Sequence, residues 1–399
     1  MKDNEKDYLD SSIIRRFRET INSSPIFVAH EEYKHKYNLI CVFMDRIDSA
    51  IQYLNANSEM PRTEEEFINF LVYAAIIRDG VTKLFENIFH NKPPYINEKM
   101  YFTDAVRNSE PFFTEDTCPT DDDFFEYIRA MAFAHPYEVS GRKDKRPFMQ
   151  NGEIHYCPWV IVNPTVAMFS GIDDGVGIRC YTKLDEDAND SIIFSFAKLK
   201  QYILSRYEYI DNLTQWAKDG ILEQTQKWQQ TQINRNQEPI KILREIKDIL
   251  ESRFESSFTI VNAIKYLECP STEKSNDANI SLFRNAIIQA LPCVCDCVDR
   301  LDYNGMENAL DIIFVRPKKM HQMAHYQLEK IFTYLDSRSE VIDRNSNEYW
   351  GLLQAYEFSQ EFAKKWVHID VVHMPYDEIK LLVRVACFLE TKEQENAAQ

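Results

Sequence analysis

At 399 residues the chain is long enough for two or three separate cores, and its 44% hydrophobic and 27% charged residues are ordinary for a globular protein. A net charge of −17, with a pI near 5.1, excludes a broad sequence-independent nucleic-acid surface and a polybasic membrane anchor. It leaves room for a local basic patch. Only nine glycines are present, so turns and sheet corners are scarce and a mainly α fold is expected.

Residues 1–30 form a polar, mixed segment in which Ile13, Ile14 and Phe17 mark a short amphipathic helix. Its opening, MKDNEKDYLDSS, lacks the apolar core of a signal peptide. From Glu31 to Leu54 an apolar stripe of Tyr37, Ile40, Phe43, Met44, Ile47 and Ile51 keeps a period near 3.6 and predicts a helix. Thr63 then opens the capping-box pattern TEEE, ahead of a second helix that is apolar on most sides and so belongs inside a bundle. The longest apolar run, Phe67 to Ile77, contains Asn69 and is too short to span a bilayer. A cytoplasmic protein with nine reduced cysteines is expected.

Pro93 and Pro94 end the second helix, and a loop-rich region leads to Asp121. The stretch DDDFFEYIRAMAFAHPYEV follows. Its three aspartates suit the positive start of a helix, Phe124, Ile128 and Met131 line one face, and Pro136 forces the helix to stop near Ala134. The periodicity then changes to strands at 159–162, 176–181 and 191–196, the last two predicted to pair as a hairpin. Together they make a β insertion at about 155–197. Helix returns through LKQYILSRYEYIDNLTQWAKDGI, a Gln/Asn-rich linker or helix end occupies 226–239, and 240–399 reads as a second, all-α domain. No internal repeat of solenoid type is evident.

Candidate chemistry centres on Arg129 and His135. In an ideal helix, residues six apart sit about 120° from each other, so the two would not share a face. Pro136 places His135 where the helix must end and lets it leave the wheel. The pair fits R-x4–6-H, and the region 31–225 resembles the helical bundles of HEPN-superfamily ribonucleases. The resemblance implies metal-independent RNA cleavage without a cofactor, at a site assembled from two such motifs across a homodimer. By family analogy it also implies a toxin or phage-defence role. A histidine near neutral pKa can move protons at the ribose 2′-OH and the leaving oxygen, and an arginine can hold the phosphate bidentately. Ala130 departs from the family, where the residue after the arginine is usually polar.

Arg142, Lys143, Lys145 and Arg146 form the densest basic cluster and are the expected contact for RNA phosphates. Arg78 and Asp79 interrupt the apolar second helix and are second candidates for the same cleft, and Glu126 lies one turn from Arg129 as an ion-pair partner. A second motif match, Arg316 and His321, lies in RPKKMH. His321 and His325 have the i, i+4 spacing of a zinc pair but no HExxH glutamate, and Cys293, Cys295 and Cys297 lack CxxC spacing, so no metal site is expected. No P-loop, dinucleotide fingerprint, nucleophile elbow or DNA groove-binding motif is present. The alternative from another class is a non-catalytic helical scaffold or sensor that binds a protein or a small ligand.

Overall fold

The computed structural model describes residues 7–109, 118–141, 146, 148–149, 153–162, 170–182, 190–335 and 344–398. The chain is mainly helical with a small antiparallel sheet, and it divides into two compact units, 1–222 and 223–399.

In the first unit, α1 (Ser11–Asn22) starts at the Asp10 cap and buries Ile13, Ile14, Phe17 and Ile21. Phe17 meets Phe43 edge-on, with ring centroids 5.9 Å apart. The short amphipathic helix expected from Ile13, Ile14 and Phe17 is thus packed on α3. A short turn, α2 (Ile26–Ala29), leads into α3 (Glu31–Ala56), which packs against α4 (Glu64–Phe89). Thr63 accepts the Glu66 amide at 3.2 Å as its motif predicts, while the Glu66 carboxylate reaches one residue further back and takes the Arg62 amide at 2.7 Å. α4 ends at His90 in the left-handed conformation, with φ of 54°. The predicted loop region holds a 3₁₀ turn (Pro94–Asn97) and a short α5 (Thr103–Arg107) before α6 (Asp121–Arg129).

The sheet follows α6. β1 (Val139–Ser140) pairs β2 (Ile154–Tyr156), and β2 and β3 (Val160–Ile161) lie in turn along β4 (Gly175–Thr182), which pairs β5 (Asp190–Ser195). All pairings are antiparallel. The predicted hairpin is β4 and β5, in register from Gly175 opposite Ser195 to Cys180 opposite Asp190. Two strands, β1 and β2, extend the sheet beyond the prediction. Ser195 closes the sheet by accepting the Lys198 amide at 3.2 Å and so capping α7 (Phe196–Glu208). α8 (Ile210–Gln230) takes in the first five residues of the Gln/Asn-rich stretch 226–239, read from composition as a linker or helix end.

The second unit has its own core. It comprises α9 (Pro239–Ser252), α10 (Phe258–Glu268), α11 (Asp277–Asp299), α12 (Tyr303–Ala309), α13 (Ala324–Tyr334), α14 (Arg344–Glu361) and α15 (Tyr376–Ala398). By length and composition the helical segment Lys274–Asp299 is apolar enough to cross a membrane. Its Ile280, Phe283, Ile287, Leu291 and Val294 are nevertheless core residues of this unit.

Candidate functional site

The site grows out of α6. Thr120 accepts the Asp123 amide at 3.1 Å and caps the helix. Of the three leading aspartates only Asp123 faces solvent. Asp121 turns back to accept the amides of Met100, Tyr101 and Phe102 at 2.7, 3.0 and 3.2 Å. Asp122 is buried against Arg206, 2.7 Å from Nη2, and accepts the Tyr202 hydroxyl at 2.9 Å. Arg206 is fully buried, donates also to Glu98 at 2.9 Å, and lies over the rings of Tyr95 and Tyr202. The acidic run thus does more than complement a helix start: two of its members tie α6 to the 98–102 loop and to α7.

The next turn carries the motif. Glu126 accepts Arg129 through both oxygens, with Nε at 3.0 Å and Nη2 at 2.5 Å, and also accepts Arg78 Nη2 at 2.5 Å. Arg78 Nη1 is 2.9 Å from Asp79. The structure therefore joins Asp79, Arg78, Glu126 and Arg129 into one chain of ion pairs across α4 and α6. Burial works against the charge of Glu126, but Arg129 and Arg78 outweigh it and leave the carboxyl below its ordinary range. For Asp79 burial prevails over Arg78 and Arg129 and raises its pKa. Burial likewise opposes the Arg78 charge, while the carboxylates of Asp79, Glu126 and Asp122 hold it on. Arg78 packs 5.4 Å from the Phe125 ring centroid.

Beyond Arg129 the helix widens into a π-turn, Ala130–Ala134, closed by the His135 amide on the Ala130 carbonyl at 2.7 Å. Such turns recur at functional sites because they re-aim the side chains that follow. Here the turn ends with His135 at φ −144°, ψ 51°, outside the helix and exposed. The Pro136 carbonyl accepts the Cys157 amide at 2.9 Å and fastens this exit to the sheet. No hydrogen bond to the His135 ring occurs among the described residues. Glu126 engages Nε and Nη2 of Arg129, which leaves Nη1 for another acceptor. Ala130 is buried, so a polar side chain at this position would be taken out of water.

Behind the motif Tyr127 meets His155 Nδ1 at 2.7 Å, and His155 Nε2 lies 3.0 Å from Glu153. Burial raises the Tyr127 pKa well above normal, with Cys180 adding to the shift. This buried polar group locks α6 to β2. Sequence reasoning missed it, together with Asp122 and Arg206, because each partner is distant in sequence. Asp122 and Arg206, for example, are 84 positions apart.

Of the basic cluster, Arg142, Lys143 and Lys145 lie outside the described residues, and Arg146 Nη1 donates to the Ser140 carbonyl at 3.3 Å. The second motif match is differently disposed. His321 Nε2 contacts Gln327 at 2.7 Å and Glu361 at 3.3 Å between the rings of Phe358 and Phe362, while Arg316 lines an exposed groove of about 650 Å³ with Lys318 and Lys319. His321 also precedes α13, so it does not share a helix face with His325. Cys293 is exposed, Cys295 and Cys297 are buried in α11, and no group of His, Cys, Asp or Glu able to hold a metal occurs among the described residues.

Compared with known proteins, the chain gives no match to a family model and no significant match to a curated protein or a solved structure.

Proposed function

We propose that the first unit is a metal-independent endoribonuclease of the HEPN type. It acts as a homodimer without a cofactor and serves as a toxin or phage-defence effector in the cytoplasm. The observation that carries this reading is the placement of Arg129 and His135 on either side of one π-turn, the arginine backed by a fixed ion-pair chain and the histidine exposed. His135 removes the proton of a ribose 2′-OH, and the 2′-oxygen attacks the adjacent phosphorus. The P–O5′ bond breaks, a 2′,3′-cyclic phosphate forms, and the protonated His135 imidazolium of the second copy gives its proton to the departing 5′-oxygen. Arg129 offers Nη1 to the phosphate as negative charge builds. Glu126, Arg78 and Asp79 hold Arg129 in place, and the cluster Arg142, Lys143, Lys145 and Arg146 attracts the RNA backbone. Cleavage of single-stranded RNA by the purified chain, lost in His135→Ala, is the expected result. Equal cleavage by both proteins removes the assignment.

One observation favours a second reading. Glu126 already occupies two donors of Arg129, as in a purely structural ion pair, and on that basis the protein is a non-catalytic scaffold or sensor. Glu126→Gln separates the two: altered RNA cleavage supports the nuclease, whereas unchanged RNA chemistry with only a stability effect supports the scaffold.

A further inference from the structure

The second unit contains a cleft that the nuclease reading does not use. It is lined by Phe258, Lys265 and Tyr266 of α10, by Phe314 and Phe332, and by Asp377, Lys380 and Arg384 of α15. Its volume of about 140 Å³ corresponds to a few water molecules at roughly 30 Å³ each, enough for an anionic headgroup.

Arg384 is the unusual member. It is only 8% exposed, and its Nε is buried without a hydrogen-bond partner. Its guanidinium stacks 3.8 Å from the Phe332 ring centroid and 5.1 Å from that of Phe314. No carboxylate forms an ion pair with it among the described residues. A buried arginine ordinarily has a carboxylate partner, because its desolvation is otherwise uncompensated. The contrast within this chain is direct: buried Arg206 has two carboxylates, and buried Arg253 has the carbonyls of Val298 and Trp228. The Tyr266 phenol lies close enough for Arg384 to offset part of the rise that burial imposes on its pKa, so Tyr266 is a neutral neighbour of the guanidinium and not a counter-charge. At the rim, Asp377 is held by Lys380 at 2.9 Å, and Lys265 adds a second cation. Phe258 is 64% exposed and stacks on Phe314 with ring planes 11° apart, leaving an aromatic face open to solvent.

We propose that this cleft binds a small organic anion, its carboxylate or phosphate headgroup accepting from the Arg384 guanidinium where it lines the cleft and its flat apolar body lying against Phe258. The missing partner of Arg384 is then supplied by the ligand, with Lys265 screening the entrance. Charge-assisted bonds from arginine suit both headgroups, and an exposed ring beside the cation suits an aromatic or similarly flat body. The site is independent of Arg129 and His135.

The test is calorimetric titration of the full-length chain with benzoate, phenyl phosphate and inorganic phosphate. At least one of the two ring-bearing anions is expected to bind, and the preferred one identifies the headgroup. Inorganic phosphate is expected to bind at least tenfold more weakly than that anion. Arg384→Met should abolish the binding while melting no lower than the parent chain, since it removes an uncompensated buried charge. Phe258→Ala, at an exposed position, should weaken the ring-bearing anion several-fold and leave inorganic phosphate unchanged. Failure of both ring-bearing anions to bind, or equal binding by Arg384→Met and the parent, overturns the proposal.

Discussion

At the scale of single residues, the charged groups on α6 and those paired with them divide into a buried set and a half-exposed set with different consequences. Arg206 is fully buried between Asp122 and Glu98. Removing one partner of such a group leaves an uncompensated buried charge, so Arg206→Met is expected to cost about 3–5 kcal/mol, measured by chemical denaturation of the full chain. Glu126 is more exposed, and its effect shows as pH dependence. Its folded-state pKa is depressed below the ordinary 4.5. The stability it contributes is therefore fully present above that value and is lost as pH falls through the lowered one. Thermal melts between pH 6 and pH 3 should show the parent chain losing stability more steeply than Glu126→Gln, and parallel curves would contradict the linkage. The sequence made Glu126 and Arg129 legible as a pair one helical turn apart. It gave no sign that Asp122 was destined for the interior, since three consecutive aspartates at a helix start look alike until the distant Arg206 selects one.

Among the elements, those with local signals were legible. The stripes of α3 and α4, the Thr63 cap and the β4–β5 hairpin all rest on periodicity or capping chemistry within a few residues. β1 and β2 were not, because Val139–Ser140 and Ile154–Tyr156 hold no apolar run like the WVIV that marked the equally short β3. The π-turn was invisible as well: AMAFA has no residue that forbids an ordinary α-helix. α1 was legible from Ile13, Ile14 and Phe17, and the structure adds Ile21 to its buried face. Within the sheet, Gly177 is the position with least tolerance, since an added Cβ would fall on the Ile192 carbonyl of the neighbouring strand. Gly177→Ala must push β4 from β5 and is expected to destabilise the first unit by about 1–3 kcal/mol, as overpacking does. A melt unchanged from the parent would show that the pairing can open freely.

For the whole molecule, the two compact units each hold a different candidate arrangement of charged groups. The first presents an exposed histidine beyond an anchored arginine, and the second holds a buried arginine that lacks a carboxylate. Net charge of −17 makes a general attraction to RNA unfavourable, so the proposed nuclease would have to engage its substrate through a local basic patch. The central claim is that His135 transfers protons in RNA cleavage, and the direct measurement is the rate and end chemistry of cleavage of one single-stranded RNA by the full-length chain and by His135→Ala. The account predicts 2′,3′-cyclic phosphate ends from the parent chain, unaffected by chelators, at a rate at least a hundredfold above the variant, about the minimum expected of general acid–base catalysis. Equal rates, or cleavage that persists when the attacked ribose is replaced by 2′-deoxyribose, would contradict it.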